Sequence, residues 1–135
     1  MKTIFVDTLY WIAITNPKDQ CYSRALEVQK HLQATQLVTT ETVLIEYLNY
    51  FCGYSPRMRQ TVASVARSIL KNPNVEVVLH THEVFLTALT LYAERLDKGY
   101  SLIDCISMVT MQDRNLTEVL THDRHFAQEG FMLLL

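Results

Sequence analysis

Short apolar runs alternate with longer stretches of helical periodicity along the chain. Thr3-Ile4-Phe5-Val6 is an unbroken run that stops at Asp7 and predicts a buried strand. Leu9 to Thr15 predicts a short helix, stopped near Asn16-Pro17 because a residue before proline is driven out of the helical region. From Asp19 to Ala34, the positions Ala25, Leu26, Val28 and Leu32 recur at helical spacing and predict an amphipathic helix. Leu37-Val38-Thr39 reads as a brief strand. Thr40 to Phe51 reads as a helix, with Gly53 placed to end it. Ser55-Pro56 is a strong start signal, an N-cap followed by proline at the first helical position. That helix runs to Lys71 and is broken by Asn72-Pro73.

Val75 to Leu79 is the next expected strand, and Thr81 to Asp97 a helix with Glu83 near its start and Gly99 beyond its end. Ser101 to Arg114 predicts a further helix, its Ser101 and Asp104 spaced as a capping box with Asp in place of the usual Glu. Glu118 to Thr121 and Phe131 to Leu134 complete the strands. Strands alternating with helices predict a three-layer α/β domain around a mostly parallel sheet. In such sheets ligands bind beyond the carboxyl ends of the strands.

Composition sharpens this picture. A chain of 135 residues, 49% hydrophobic and 19% charged, is expected to fold as a single domain spanning residues 1–135. Folding at this size buries roughly two-thirds of the chain's surface, so no disulfide or structural metal is required. No apolar run approaches the ~18 residues of a membrane span, and no signal-peptide core is present, so a cytoplasmic protein without membrane contact is expected. Cys21, Cys52 and Cys105 are isolated, show no zinc spacing, and are expected to be small core residues. A net charge of -2 argues against nucleic-acid binding through bulk positive charge. A nucleic-acid substrate would need local basic patches or a bound metal.

Four acids stand where surface solvation does not account for them. Asp7 and Asp123 each follow a predicted strand, at the edge where functional groups gather. Each is equally placed to cap the helix that follows. Glu46 lies in the apolar stretch Val43-Leu44-Ile45-Glu46-Tyr47-Leu48, where Thr42, Glu46, Asn49 and Gly53 form a polar stripe that either faces water or serves a site. Asp104 lies in Leu102-Ile103-Asp104-Cys105-Ile106, as a cap, a ligand or both, since one carboxylate has two oxygens. Two acids at strand ends and two near helix starts meet at one sheet edge. Four carboxylates in one place call for a divalent cation, and hard oxygen donors select Mg²⁺ or Mn²⁺.

These segments resemble the PIN domain, and within it the small toxin ribonucleases of VapC type. The resemblance rests on Ile4-Phe5-Val6-Asp7-Thr8, on Val38-Thr39-Thr40 leading to Leu44-Ile45-Glu46, and on Tyr100-Ser101-Leu102-Ile103-Asp104. Its fourth part is Leu120-Thr121-His122-Asp123-Arg124-His125-Phe126 with Gly130-Phe131. It implies a sheet of five parallel strands and Mg²⁺- or Mn²⁺-dependent cleavage of RNA. It also implies a homodimer held by a small antitoxin protein.

The expected metal ligands are Asp7, Asp104 and Asp123, with Glu46 completing the shell or orienting the attacking water. Thr8 and Thr121 are expected as supporting hydroxyls. Arg124, His122 and His125 flank Asp123 and are candidates for phosphate contact. Arg57, Arg59, Arg67 and Lys71 decorate one helix, as an RNA-contacting or simply a solvated face. His80 and His82 lack a third ligand for zinc. A haloacid-type phosphatase needs Asp-x-Asp after its first strand, and here Asp7-Thr8-Leu9 follows instead. A receiver needs a late Lys, and here Thr121 is followed by His122. A degenerate PIN module that binds RNA or a protein partner without catalysis is the other reading.

Overall fold

In the computed structural model, which describes residues 2–135, five strands alternate with seven helices. β1 (Lys2–Val6) leads into α1 (Thr8–Thr15) and α2 (Tyr22–Gln29). β2 (Thr35–Thr40) leads into α3 (Glu41–Tyr50) and α4 (Pro56–Lys71). β3 (Val75–Val78) precedes α5 (His82–Glu94) and α6 (Leu102–Asp113). β4 (Glu118–Leu120), α7 (Arg124–Gln128) and β5 (Met132–Leu133) close the chain.

The strand order is β3-β2-β1-β4-β5, and every neighbouring pair is parallel. Ile4, Phe5 and Val6 are all buried. Successive strand residues point to opposite faces, so helices must cover β1 on both sides, as a three-layer α/β/α arrangement requires. Thr39 fastens this centre. Its hydroxyl donates to the Val6 carbonyl at 2.8 Å and accepts from Trp11 Nε1 at 3.3 Å, tying β2 to β1 and α1. From β1 the chain builds outward through β2 and β3, then returns to lay β4 on the other side of β1. The carboxyl ends of β1 and β4 therefore flank the point where strand order reverses.

Several expected boundaries move, for local reasons. The helix expected from Asp19 to Ala34 is confined to Tyr22–Gln29. Asp19 spends its carboxylate on the Cys21 N–H at 2.8 Å, which makes a turn rather than a helical start. Beyond Gln29 the bonds tighten to three-residue spacing, as with Leu32 N–H to the Gln29 carbonyl at 3.2 Å. β2 begins at Thr35, earlier than its apolar residues indicate, because Lys2 and Thr35 are already in register. α5 stops at Glu94, short of Asp97, with Arg95 leaving helical geometry. Asp123 opens α7, a five-residue helix.

The three cysteines are not all core residues, contrary to expectation. Cys105 is buried and Cys21 half-buried, but Cys52 is exposed. It sits in the turn after α3, where apolar neighbours reflect the helix's periodicity and not burial of the turn. No helix of the described residues is long and apolar enough to cross a membrane.

Candidate active site

Asp7, Glu46, Asp104 and Asp123 all line one cleft of about 320 Å³ at the carboxyl edge of the sheet, together with Thr8, Tyr50 and Ser101. Two grooves of about 840 Å³ are larger, but one carries no acid and the other only Asp19. Size alone therefore does not locate the chemistry.

Asp7 leaves β1 and precedes α1, yet its carboxylate caps no helix N–H. It is held by Thr121, whose hydroxyl donates to Asp7 Oδ2 at 2.8 Å. The same Thr121 oxygen accepts the Asp123 N–H at 3.1 Å. One fully buried hydroxyl thus joins the ends of β1 and β4 and shapes the turn that presents Asp123. Asp123 does cap: its Oδ1 accepts the His125 N–H at 2.9 Å.

Asp104 completes a reciprocal capping box at the start of α6. Its N–H donates to Ser101 Oγ at 3.0 Å, and its Oδ2 accepts the Ser101 N–H at 3.2 Å. The cap uses one carboxylate oxygen and leaves the other for a ligand. Glu46 projects from α3 into the cleft and is half-buried, so its polar stripe serves the site at this point rather than open water. Thr40 starts that helix by accepting the Val43 N–H at 3.0 Å.

The acids perturb one another. Burial pushes the Asp7 carboxyl up to about 7; the Thr121 hydrogen bond opposes this, and the charges of Asp104 and Glu46 add to it. Burial also raises Glu46, with the charges of Asp104 and Asp123 contributing. Asp104 is raised by burial and then by Asp123, against the pull of Ser101 and His125. The Thr8 hydroxyl lies close enough to Glu46 to oppose its rise, yet it is buried without a partner of hydrogen-bond geometry. A buried hydroxyl beside the carboxylate cluster adds one more polar group to those a bound cation and its waters would meet.

His125 stands nearer the acids than its sequence position indicates. Nδ1 lies 3.3 Å from Asp104 Oδ2 and 3.4 Å from Asp123 Oδ1. Toward ionised carboxylates, which only accept, this nitrogen serves as donor in the tautomer that carries its hydrogen there. The ring packs at a tilt on Tyr100, with centroids 5.3 Å apart. Asp104, Asp123 and His125 together offer potential ligand atoms within 4.8 Å of one another. Arg124 is exposed and His122 half-buried, and neither lines the cleft. Arg57, Arg59, Arg67 and Lys71 are exposed on α4 or at its end.

Among the described residues, none of the four acids is ion-paired to a Lys or Arg side chain. The charge they gather is instead suited to a small divalent cation. The donors are oxygens with one imidazole beside them, a set that fits Mg²⁺ or Mn²⁺.

The sequence matches the family model described as PIN domain over residues 4–131. A curated relative, the 23S rRNA-specific endonuclease VapC20 of Mycobacterium tuberculosis, is 29% identical over 135 residues, covering 96% of this chain and 95% of that protein. The crystal structure of M. tuberculosis VapC20, a sarcin-ricin loop cleaving toxin, superposes with a TM-score of 0.87 at 22% identity and 96% coverage of each chain. FitAcB from Neisseria gonorrhoeae gives 0.70 at 15% identity, covering 98% of this chain and 96% of that one. VapBC2 from Rickettsia felis, bound to a DNA fragment from their promoter, gives 0.67 at 16% identity, covering 98% and 97%. At these identities the superpositions establish a shared fold.

Proposed function

This chain belongs to the PIN-domain family, and from that premise we propose that it is a Mg²⁺- or Mn²⁺-dependent endoribonuclease, the toxin of a VapBC-type pair. The observation that carries the proposal is the convergence of four carboxylates, unpaired with Lys or Arg, on one cleft at the switch point of the sheet. That the curated relative is a 23S rRNA-specific endonuclease supports RNA as the substrate.

Asp7, Asp104 and Asp123 would hold the cation, and Glu46 from the facing helix completes the set or orients the attacking water. When bound, such a cation supplies neutralisation of the phosphate and acidification of a water molecule. Thr121 fixes Asp7 and the Asp123 turn at once, so the two strand-end acids keep their spacing. Capping by Ser101 fixes Asp104 in the same way. His125 restrains the Asp104–Asp123 pair from the side.

The neighbour from R. felis is a VapBC assembly, which supports a small antitoxin as partner here. Leu86, Leu89 and Tyr92 on α5 are 49%, 45% and 49% exposed and recur at i, i+3 and i+6. Such an apolar row on a helix surface supports a second copy as homodimer partner.

RNA cleavage with and without Mg²⁺, by wild type, Asp7→Asn and Asp104→Asn, tests the reading. Cleavage is expected to require the ion and to fall by about a hundredfold or more in both variants. Undiminished cleavage by both variants overturns the site. A wild type that binds RNA in Mg²⁺ or Mn²⁺ without cutting it is the non-catalytic PIN module instead.

A further inference from the structure

Tyr50 lines both the acidic cleft and a second groove beside it. That groove is walled by the loop after α1 and by the turn between α3 and α4, with Asn16, Lys18, Gln20, Tyr54 and Ser55 along it. Tyr50 follows Glu46 by one helical turn, so the two share a face of α3. Tyr50 is 48% exposed and Tyr54 42% exposed, although both belong to an aromatic-rich segment whose other members, Tyr47 and Phe51, are fully buried.

Phe51 holds the exposed pair in place. Its ring meets Tyr50 and Tyr54 edge-on, each at a centroid distance of 4.9 Å. The two tyrosines lie 6.0 Å apart at 35° to one another. Arg59 braces the turn by donating to the Cys52 carbonyl at 2.6 Å. Two aromatic rings are therefore packed yet open beside an acid cluster, in a groove whose other walls mix the polar Asn16, Gln20 and Ser55 and the charged Lys18 and Asp19 with the apolar Pro17 and Met58.

We propose that this groove is the subsite for unpaired RNA bases adjoining the scissile phosphate, with Tyr50 and Tyr54 as the stacking platform. This rests on the ribonuclease reading of the cleft. Unstacked bases are recognised by aromatic rings together with amide and hydroxyl groups, and this groove presents both, through Tyr50, Tyr54, Asn16, Gln20 and Ser55, alongside one acid, Asp19. Lys18, also on the lining, supplies a cation for the backbone. A net acidic protein with an acidic cleft needs such a source of affinity, because bulk charge does not supply it.

A second copy of the chain fits this groove less well. The apolar residues α3 exposes, Ile45 and Leu48, are turned roughly 100–160° around the helix from Glu46 and Tyr50. The exposed row on α5 is on another element altogether.

The test is fluorescence anisotropy of the full-length protein with a labelled, mixed-sequence, 12-nucleotide single-stranded RNA. Ca²⁺ replaces Mg²⁺ to hold off cleavage. Tyr50→Ala and Tyr54→Ala are each expected to raise Kd by about tenfold, and Tyr50→Trp and Tyr54→Phe to stay near wild type. The same RNA in a duplex should compete poorly, because its bases are already stacked. Alanine variants that bind the strand as wild type does overturn the proposal. So do alanine variants that keep RNA affinity but lose a dimer formed by wild type, which would give the rings to a protein partner. Wild type that cleaves RNA while the alanine variants bind normally overturns the groove alone. Wild type that neither binds nor cleaves RNA in Mg²⁺ or Mn²⁺ overturns the ribonuclease reading with it.

Discussion

Two buried carboxylates in this molecule meet opposite surroundings. Glu129, just after α7, has a side chain only 9% exposed. Arg95 donates to it from Nε at 2.7 Å and from Nη2 at 3.4 Å, and the Tyr100 hydroxyl donates at 3.1 Å. Those donors, Arg95 foremost, hold its carboxyl below the usual range. Asp7 is 3% exposed and receives one side-chain hydrogen bond, from Thr121. Its charged neighbours, Asp104 and Glu46, are of like sign, and its carboxyl is pushed up to about 7. Burying a charge costs several kcal/mol unless it is paired. Glu129 is paired within the protein and belongs to the fold. Asp7 is left by the fold without a cationic partner, as the proposed metal ligand should be.

The largest expected effect comes from neutralising the unpaired acid. Asp7→Asn should nearly abolish RNA cleavage and yet stabilise the metal-free protein at neutral pH, the trade expected where function stores strain. The sign of its pH dependence follows from the raised carboxyl. Between the ordinary value of 3.8 and about 7, folded Asp7 keeps a proton that unfolded Asp7 has lost. Its contribution to stability is therefore complete below that ordinary value and is lost as pH rises through about 7. Thermal unfolding in EDTA should show this component of Tm falling across that window in wild type, and Asp7→Asn should flatten it. An Asp7→Asn protein less stable than wild type at pH 7 would break the comparison, because Asp7 would then be paired like Glu129.

Adding the missing partner should reverse the penalty. At pH 7.5, Mn²⁺ or Mg²⁺ at about a hundred times its Kd should stabilise the wild type by roughly 2.7 kcal/mol, seen as a rise in Tm. Asp104→Asn should show a much smaller rise and Glu129→Gln the full one. Equal rises in all three would place the ion elsewhere.

How much of this was legible in the sequence depends on whether a residue's role is local. Asp7 and Asp123 could be read because a strand ending in an acid places that acid at the sheet edge, whatever the strand order. Asp104 could be read twice over, since Ser101 and Asp104 are both a cap and a site signal. Glu46 was left open by its polar stripe, which suits water as well as a site, and only the resemblance to the PIN domain picked it out. The Arg95–Glu129 pair could not be read: its partners are 34 residues apart, and no periodicity marks either. His125 was legible as a neighbour of Asp123, but its approach to Asp104 depends on packing between α6 and α7. The shortened α2 was hidden because Asp19 turns the chain with its side chain, which apolar spacing does not register. Tyr47, Tyr50, Phe51 and Tyr54 look alike in sequence, and only the fold divides them into two buried and two exposed.

A smaller effect is expected at the hydroxyl that links the two strand ends. Thr121→Val keeps the shape but removes the donor to Asp7 and the acceptor for the Asp123 N–H. Losing these buried bonds should cost about 1–2 kcal/mol by chemical denaturation. Cleavage should fall by about tenfold, less than in Asp7→Asn, because the acids themselves remain. A Thr121→Val enzyme with wild-type cleavage would show that the acids hold their spacing unaided.

The smallest effect should come from Glu129→Gln, and its pH dependence should run opposite to that of Asp7. The substitution keeps the shape and one acceptor oxygen but removes the charge that Arg95 meets. The pair is partly open on the arginine side, with 36% of that side chain exposed, so the loss at neutral pH should be small and smaller than that of Thr121→Val. Because the Glu129 carboxyl is lowered, its contribution is present above the ordinary glutamate value of 4.5 and is lost as pH falls through the lowered one. Wild type and Glu129→Gln should therefore differ in unfolding free energy at pH 7 and converge as the solution becomes strongly acidic. RNA cleavage should change little, since Glu129 reaches the cleft only through Tyr100 and the ring of His125. A Glu129→Gln protein that loses cleavage as completely as Asp7→Asn, at unchanged stability, would mean that the paired carboxylate also works in the reaction.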